Sequence, residues 1–161
     1  MKITAKKLTD ESLMQRACEF TINKKSNMTL EKIYKCEHSP MRTQLFWIEM
    51  EGIPSFVSVH LVRHKIGVEH FVQSMRDDRG GDGTENRETP VNHAMLINAE
   101  ALVTMARKRL CNKAHEQTVK VMFAIREAIG SVDVDLTERM IPNCMYRGEC
   151  FELVPCFKEV R

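Results

Sequence analysis

The spacing of hydrophobic positions changes period several times along the chain. Residues 1–9 alternate, with Ile3 and Ala5 on one side, and predict a short strand. Asp10 then stands where a helix cap belongs, ahead of Leu13, Met14, Ala17 and Phe20 at helical spacing. Thr29 opens a shorter predicted helix carrying Leu30, Ile33 and Tyr34. Glu37-His38-Ser39-Pro40 ends it, because the residue before a proline is pushed out of the helical region. Thr43 to Glu51 alternates through Leu45, Trp47 and Glu49 and predicts a strand closed by Gly52. Ile53 to Lys65 predicts a helix with Pro54 in its first turn and Gly67 as its terminator. His70 to Arg76 predicts another strand.

The stretch from Asp77 to Thr89 is low in hydrophobicity and predicts an exposed loop within one domain. Pro90 or Val91 opens the longest predicted helix, which runs to about Asn112. A further helix is predicted over Ala114 to Ala128 and a weaker one over Asp133 to Met140. From Ile141 onward the pattern is irregular, and no internal repeat is visible. Strands and helices mix without regular alternation, which predicts an α+β class, a small mixed sheet packed with helices. One domain spans 1–161, with a Cys-rich C-terminal segment at 141–161.

Composition narrows the classes. A chain of 161 residues, 43% apolar, is long enough for a core without staples. The net charge of +2 excludes a strongly basic nucleic-acid coat and an acidic solvating tail. No apolar run approaches the roughly 18 residues needed to span a membrane, and the N-terminus lacks a secretory apolar stretch. A cytoplasmic globular protein is the expectation. The 11 methionines read as packing residues. The six cysteines of a cytosolic chain read as free thiols or metal ligands rather than disulfides.

Polar residues interrupt the pattern at three places. His60-Leu61-Val62-Arg63-His64-Lys65 crowds cations where a helix ends. Positive side chains there complement the helix dipole, but the apolar surroundings also suggest an anionic ligand. His60 and His64 stand at a metal-ligand spacing as well, a weak signal from two residues alone. Next, Asn98, Leu102, Met105 and Arg109 share a helical face, with the polar ends about 16 Å apart. Leu and Met there read as core, whereas Asn98 and Arg109 can reach two ends of one extended ligand. Finally, Cys144, Cys150 and Cys156 recur every sixth residue in a turn-rich segment, with Cys111 following the long helix. Four thiolates suit zinc or an iron–sulfur cluster; packed free thiols are the other reading. The sequence has no GxSxG, Walker, GxGxxG or HExxH motif.

Taken together these residues resemble the flavin-dependent thymidylate synthase family. Its signature is Arg-His-Arg, seven residues, then Ser, with Arg two places on; here Arg63-His64-Lys65 precedes Ser74 and Arg76 with eight residues between. Glu37-His38-Ser39-Pro40 is similar to the family's His-(Ser/Thr)-Pro turn, and Asn98 with Arg109 is similar to its long helix. Small members of this kind are also encoded by viruses. The resemblance implies conversion of dUMP to dTMP with FAD as cofactor, methylenetetrahydrofolate as carbon donor and NADPH as reductant. It also implies a homotetramer with active sites at subunit interfaces. His60, Arg63, Ser74, Arg76 and Arg109 would then bind the pyrimidine deoxynucleotide, and Ser39, Arg63, His64, Lys65 and Asn98 the flavin. Arg109 would be the catalytic group, stabilising negative charge on the pyrimidine.

The departures are specific. Lys65 lacks the planar fork of the arginine it replaces. His60 stands where the family usually has Gln, and Arg42 where it usually has Glu. Only 21 residues separate Arg76 from Asn98, where the family carries additional helices. These differences leave two rivals to the enzyme. One is a non-catalytic nucleotide- or nucleic-acid-binding relative stabilised by a Cys-bound metal. The other is a small metal-stabilised interaction protein.

Overall fold

The structure is a computed structural model in which residues 1–81, 83–84 and 86–156 are described. The chain adopts the α+β class expected. Strand β1 (Lys2–Lys7) leads into helix α1 (Glu11–Ile22), capped as expected by Asp10, whose carboxylate accepts the Leu13 amide at 3.3 Å. Thr29 caps α2 (Leu30–Cys36) in the same way. A 3-10 turn, Ser39–Thr43, carries the chain into β2 (Leu45–Pro54) and α3 (Ser55–Leu61). Then come β3 (Val68–Val72), β4 (Pro90–Asn98), α4 (Ala99–Arg109), α5 (Glu116–Gly130), α6 (Val134–Thr137) and α7 (Asn143–Arg147).

Several expected elements shift, and one changes type. Pro90 to Asn98 is a strand, not the first half of a helix. Its inward positions Val91, His93, Met95 and Ile97 are buried in strict alternation. The histidine masked that period, and Ala94, Met95 and Leu96 favour helix locally. Pro90 is tolerated because it is the first residue of the strand. The predicted helix over 53–65 shortens to α3, since Ile53 and Pro54 pair within the sheet. On α1 it is Met14 and Cys18 that are buried, whereas Leu13 and Phe20 are exposed. The 77–89 stretch is largely exposed, as expected, with Asp82 and Glu85 outside the described residues.

The sheet order is β1-β2-β4-β3, and every pairing is antiparallel, so the sheet is not mixed. Between Met50 and Ile53 the register shifts at Gly52, whose φ of +69° suits a bulge that only glycine enters freely. Phe46, Ile48 and Met50 of β2 join the inward side chains of β4 in the core, with Leu102, Met105, Val121, Met122 and Ile125 from α4 and α5. Seven of the eleven methionines are buried, consistent with packing. One polar knot closes the far end. The buried Asp133 carboxylate caps α6, accepts the Lys7 ammonium at 2.6 Å and accepts the Tyr34 hydroxyl at 2.9 Å. This ties β1 and α2 to the end of α5. Among the described residues, no helix is long and apolar enough to cross a membrane.

Candidate functional site

Helix α3 ends at Leu61, and the chain turns through Arg63 to Gly67 before entering β3. Gly67 has a φ of +73°, and a Cβ built on it would lie 2.4 Å from Nδ2 of Asn98. No other residue fits there without displacing Asn98. The Gly67 carbonyl accepts the Asn98 amide at 2.9 Å, and Oδ1 of Asn98 accepts the Ala101 amide at 2.9 Å. Asn98 is therefore the last residue of β4 and the N-cap of α4, not a position inside a longer helix. The α3–β3 turn and the first turns of α4 face each other across a cavity of about 460 Å³. Arg63, His64, Lys65, Ile66, Glu100, Ala101 and Thr104 line it.

Arg109, the last residue of α4, reaches back to this turn. Its Nε–H donates to Nε2 of His64 at 3.0 Å, and a terminal nitrogen donates to the His60 carbonyl at 2.6 Å. Burial, then the Arg109 charge, holds the His64 imidazole down to a pKa of about 4. His64 is therefore neutral at pH 7, with its proton on Nδ1 and Nε2 free to accept. His60 is lowered too, chiefly by burial and then by Arg109 and Arg63. Its Nδ1 pairs with the Thr118 hydroxyl at 2.9 Å. Burial and the Arg63 charge in turn lower Arg109. Two guanidiniums thus repel each other while, among the described residues, neither forms an ion pair. An anion is the partner that would relieve both.

A second chain of contacts fixes the turn from below. His70 Nε2 lies 2.8 Å from the His64 carbonyl, which can only accept, so this nitrogen carries the proton. His70 Nδ1 pairs with His93 Nε2 at 2.9 Å, and His93 Nδ1 pairs with the Ser58 hydroxyl at 3.0 Å. Burial holds His93 down to about 4, which agrees with a neutral ring in this relay. Ser58, His70 and His93 carry no motif in the sequence, and Gly67 is there only a helix terminator. The period-2 burial of β4, once recognised, is the signal that would have turned His93 inward.

Of the expected site residues, His60, Arg63, His64, Lys65, Asn98 and Arg109 gather at this one turn. Ser39 is exposed on the 3-10 turn, which docks on α4 through a two-pronged Arg42–Glu100 ion pair at 2.8 and 3.0 Å. Ser74 and Arg76 lie apart. The ladder pairs Val68 with Ile97 and Val72 with His93, so Ser74 leaves the sheet at the end away from Asn98. His93 is five residues from Asn98 along β4, a separation of roughly 17 Å. Arg76 is held there by both carboxylate oxygens of Asp78, at 2.8 and 2.7 Å. The ring nitrogens of His60 and His64 pair with Thr118 and Arg109 respectively. Cys111, Cys144, Cys150 and Cys156 line a separate cavity of about 520 Å³, each as a free thiol. Among the described residues, no three His, Cys, Asp or Glu side chains stand as an assembled metal-ligand set.

A four-stranded antiparallel sheet with helices packed on its core face is also the fold of solved flavin-dependent thymidylate synthases. Two solved structures of that enzyme, ThyX from Helicobacter pylori with FAD and dUMP, match this chain at TM-scores of 0.72 and 0.71. Identities are 14% and 15%, and the matches span 88% of this chain and 100% and 99% of those chains. No family model matches the sequence. No curated protein matches it either. The match runs the full length of the first neighbour's chain.

Proposed function

We propose that this chain binds a flavin and a pyrimidine deoxynucleotide and works as a flavin-dependent thymidylate synthase-like enzyme. In this reading it methylates dUMP to dTMP, with methylenetetrahydrofolate as carbon donor and NADPH as reductant. The observation that carries it is the cationic turn, where Arg63, His64 and Lys65 line one cavity and Arg109 is bonded to His64, on a fold whose solved examples contain FAD and dUMP. The donor set fits a phosphate-bearing ligand: Arg63, Lys65 and the neutral His64 line the cavity, Arg109 is bonded to His64, and the lining's one carboxylate, Glu100, is already paired with Arg42.

Arg63, His64, Lys65 and Asn98, with Ser39 from the neighbouring turn, would hold FAD, which when bound supplies the hydride. Asn98 is rigid because β4 and the α4 cap hold it from both sides. Arg109 contributes a fixed, half-buried positive charge beside the pyrimidine. Its hydrogen bonds go to a neutral ring and a carbonyl, so the charge stays available for an oxyanion. His60 and Arg63 would complete the nucleotide contacts. Ser74 and Arg76 lie too far along the sheet to join them within one chain. A second copy would bring them to the phosphate, so a homo-oligomer, a tetramer by resemblance, is part of the proposal. So is a cytoplasmic location.

Lys65 in place of arginine, and Arg76 occupied by Asp78, favour a second reading: a nucleotide- or nucleic-acid-binding relative without turnover. One set of measurements separates the two. Purified full-length protein is titrated with FAD, followed by flavin fluorescence, and assayed for dTMP formation from dUMP. The enzyme reading expects FAD uptake and dTMP that depends on Arg109. Folded protein that takes up no FAD overturns it. Preference for long single-stranded DNA with steep salt dependence supports the second reading instead.

A further inference from the structure

The segment after α6 is attached to the body with little packing of its own. None of residues 143–156 is buried, and Met145, Tyr146, Phe151, Leu153 and Val154 are exposed. Helix α7 has only five residues and ends at Gly148. Its clearest tie to the body is the Arg107 guanidinium, 3.4 Å above the Tyr146 ring. Apolar burial on this scale does not offset the entropy of ordering some fourteen residues.

Four thiols nevertheless converge there. Cys144 on α7, and Cys150 and Cys156 after it, line the same cavity as Cys111, which follows α4. The Cys111 sulfur accepts the Lys113 amide at 3.5 Å and donates to the Glu152 carboxylate at 3.9 Å. Leu110 and Phe123 form an apolar wall behind them. Closing the four sulfurs on one ion requires the chain on either side of Gly148, which has a φ of +82°, to shift inward.

We propose that Cys111, Cys144, Cys150 and Cys156 close around one zinc ion as four thiolates, fastening the C-terminal segment to the end of α4. An all-sulfur set of four suits a tetrahedral, soft-ligand ion and leaves no open position for catalysis, so the role is structural. Each thiol releases its proton to solvent as its sulfur binds, and no electrons are transferred. The site is separate from the cationic turn and stands or falls independently of the flavin reading. The three remaining residues of interest, Cys18, Cys36 and Glu152, lie outside the ligand set.

The test uses the reduced full-length protein. Elemental analysis after extensive dialysis is expected to give about one zinc per chain. Cobalt added to metal-free protein is expected to produce the visible bands of tetrahedral thiolate coordination. Cys150→Ser and Cys156→Ser are each expected to lower zinc content several-fold, whereas Cys36→Ser leaves it unchanged. The wild-type cobalt spectrum keeps the test decisive if a variant misfolds. Zinc-free protein whose cobalt titration lacks thiolate bands overturns the proposal. So does iron with sulfide in place of zinc, or a mass showing disulfides among these four cysteines in protein purified under reducing conditions.

Discussion

Gly67→Ala probes the joint between the sheet and the cationic turn. Alanine at a φ of +73° costs about 1–2 kcal/mol relative to ordinary backbone. Its Cβ would stand 2.4 Å from Asn98 Nδ2, so the Asn98 side chain must leave its place. Moving it removes the cap on the Ala101 amide, about 1 kcal/mol more. Stiffening of the unfolded chain returns about 0.4–1 kcal/mol. The net expectation is a loss of about 2 kcal/mol, read as a lower urea midpoint at unchanged slope. Asn98→Ala alone should lose about 1 kcal/mol. The double variant should then be less destabilised than the sum, by about 1 kcal/mol, because the clash has lost its partner. A Gly67→Ala protein within about 0.5 kcal/mol of wild type, or strictly additive changes, would refute the joint. Under the proposed function the same variant binds FAD more weakly even where it remains folded.

Three further outcomes are expected. His64 and His93, both held near 4 against an ordinary 6.5, stay neutral in the folded protein while the unfolded chain takes up protons. Stability is therefore complete above about pH 6.5 and falls as pH drops toward 4; a urea midpoint that is flat between pH 7.5 and 5 would contradict this. Arg109→Gln should change stability by less than about 1 kcal/mol, because no ion pair is lost, yet weaken dUMP binding at least about tenfold by calorimetry. In the buried knot, Tyr34→Phe should lose about 1 kcal/mol. Lys7→Met, which strands the Asp133 carboxylate, should lose about 3 kcal/mol at pH 7, and equal losses would show that this charge is not desolvated.

Much of the site was legible before folding, but unevenly. Arg63, His64 and Lys65 stood out as cations at a helix end, and the Asn98–Arg109 interval survived although its first member proved to be a cap. Ser58, His70 and His93 did not stand out, since each is ordinary in its own window. Ser74 and Arg76 were grouped with the cationic turn by motif order, and the antiparallel run of β3 carries them away from it.

What the sequence determined by itself is local: the Asp10 and Thr29 caps, the periodicity of β1 and β2, and α5 close to its expected span. These features depend on groups within a few residues of one another, and a cap or a period is visible in a short window. What tertiary structure decided depends on distant partners. Pro90 to Asn98 became a central strand because β2 and β3 satisfy its backbone on both edges, which outweighs a local preference for helix. The bonds that build the site join residues 23, 35 and 45 apart in the chain. Contacts at that range leave no periodic trace in the sequence, because their geometry exists only after the sheet has formed.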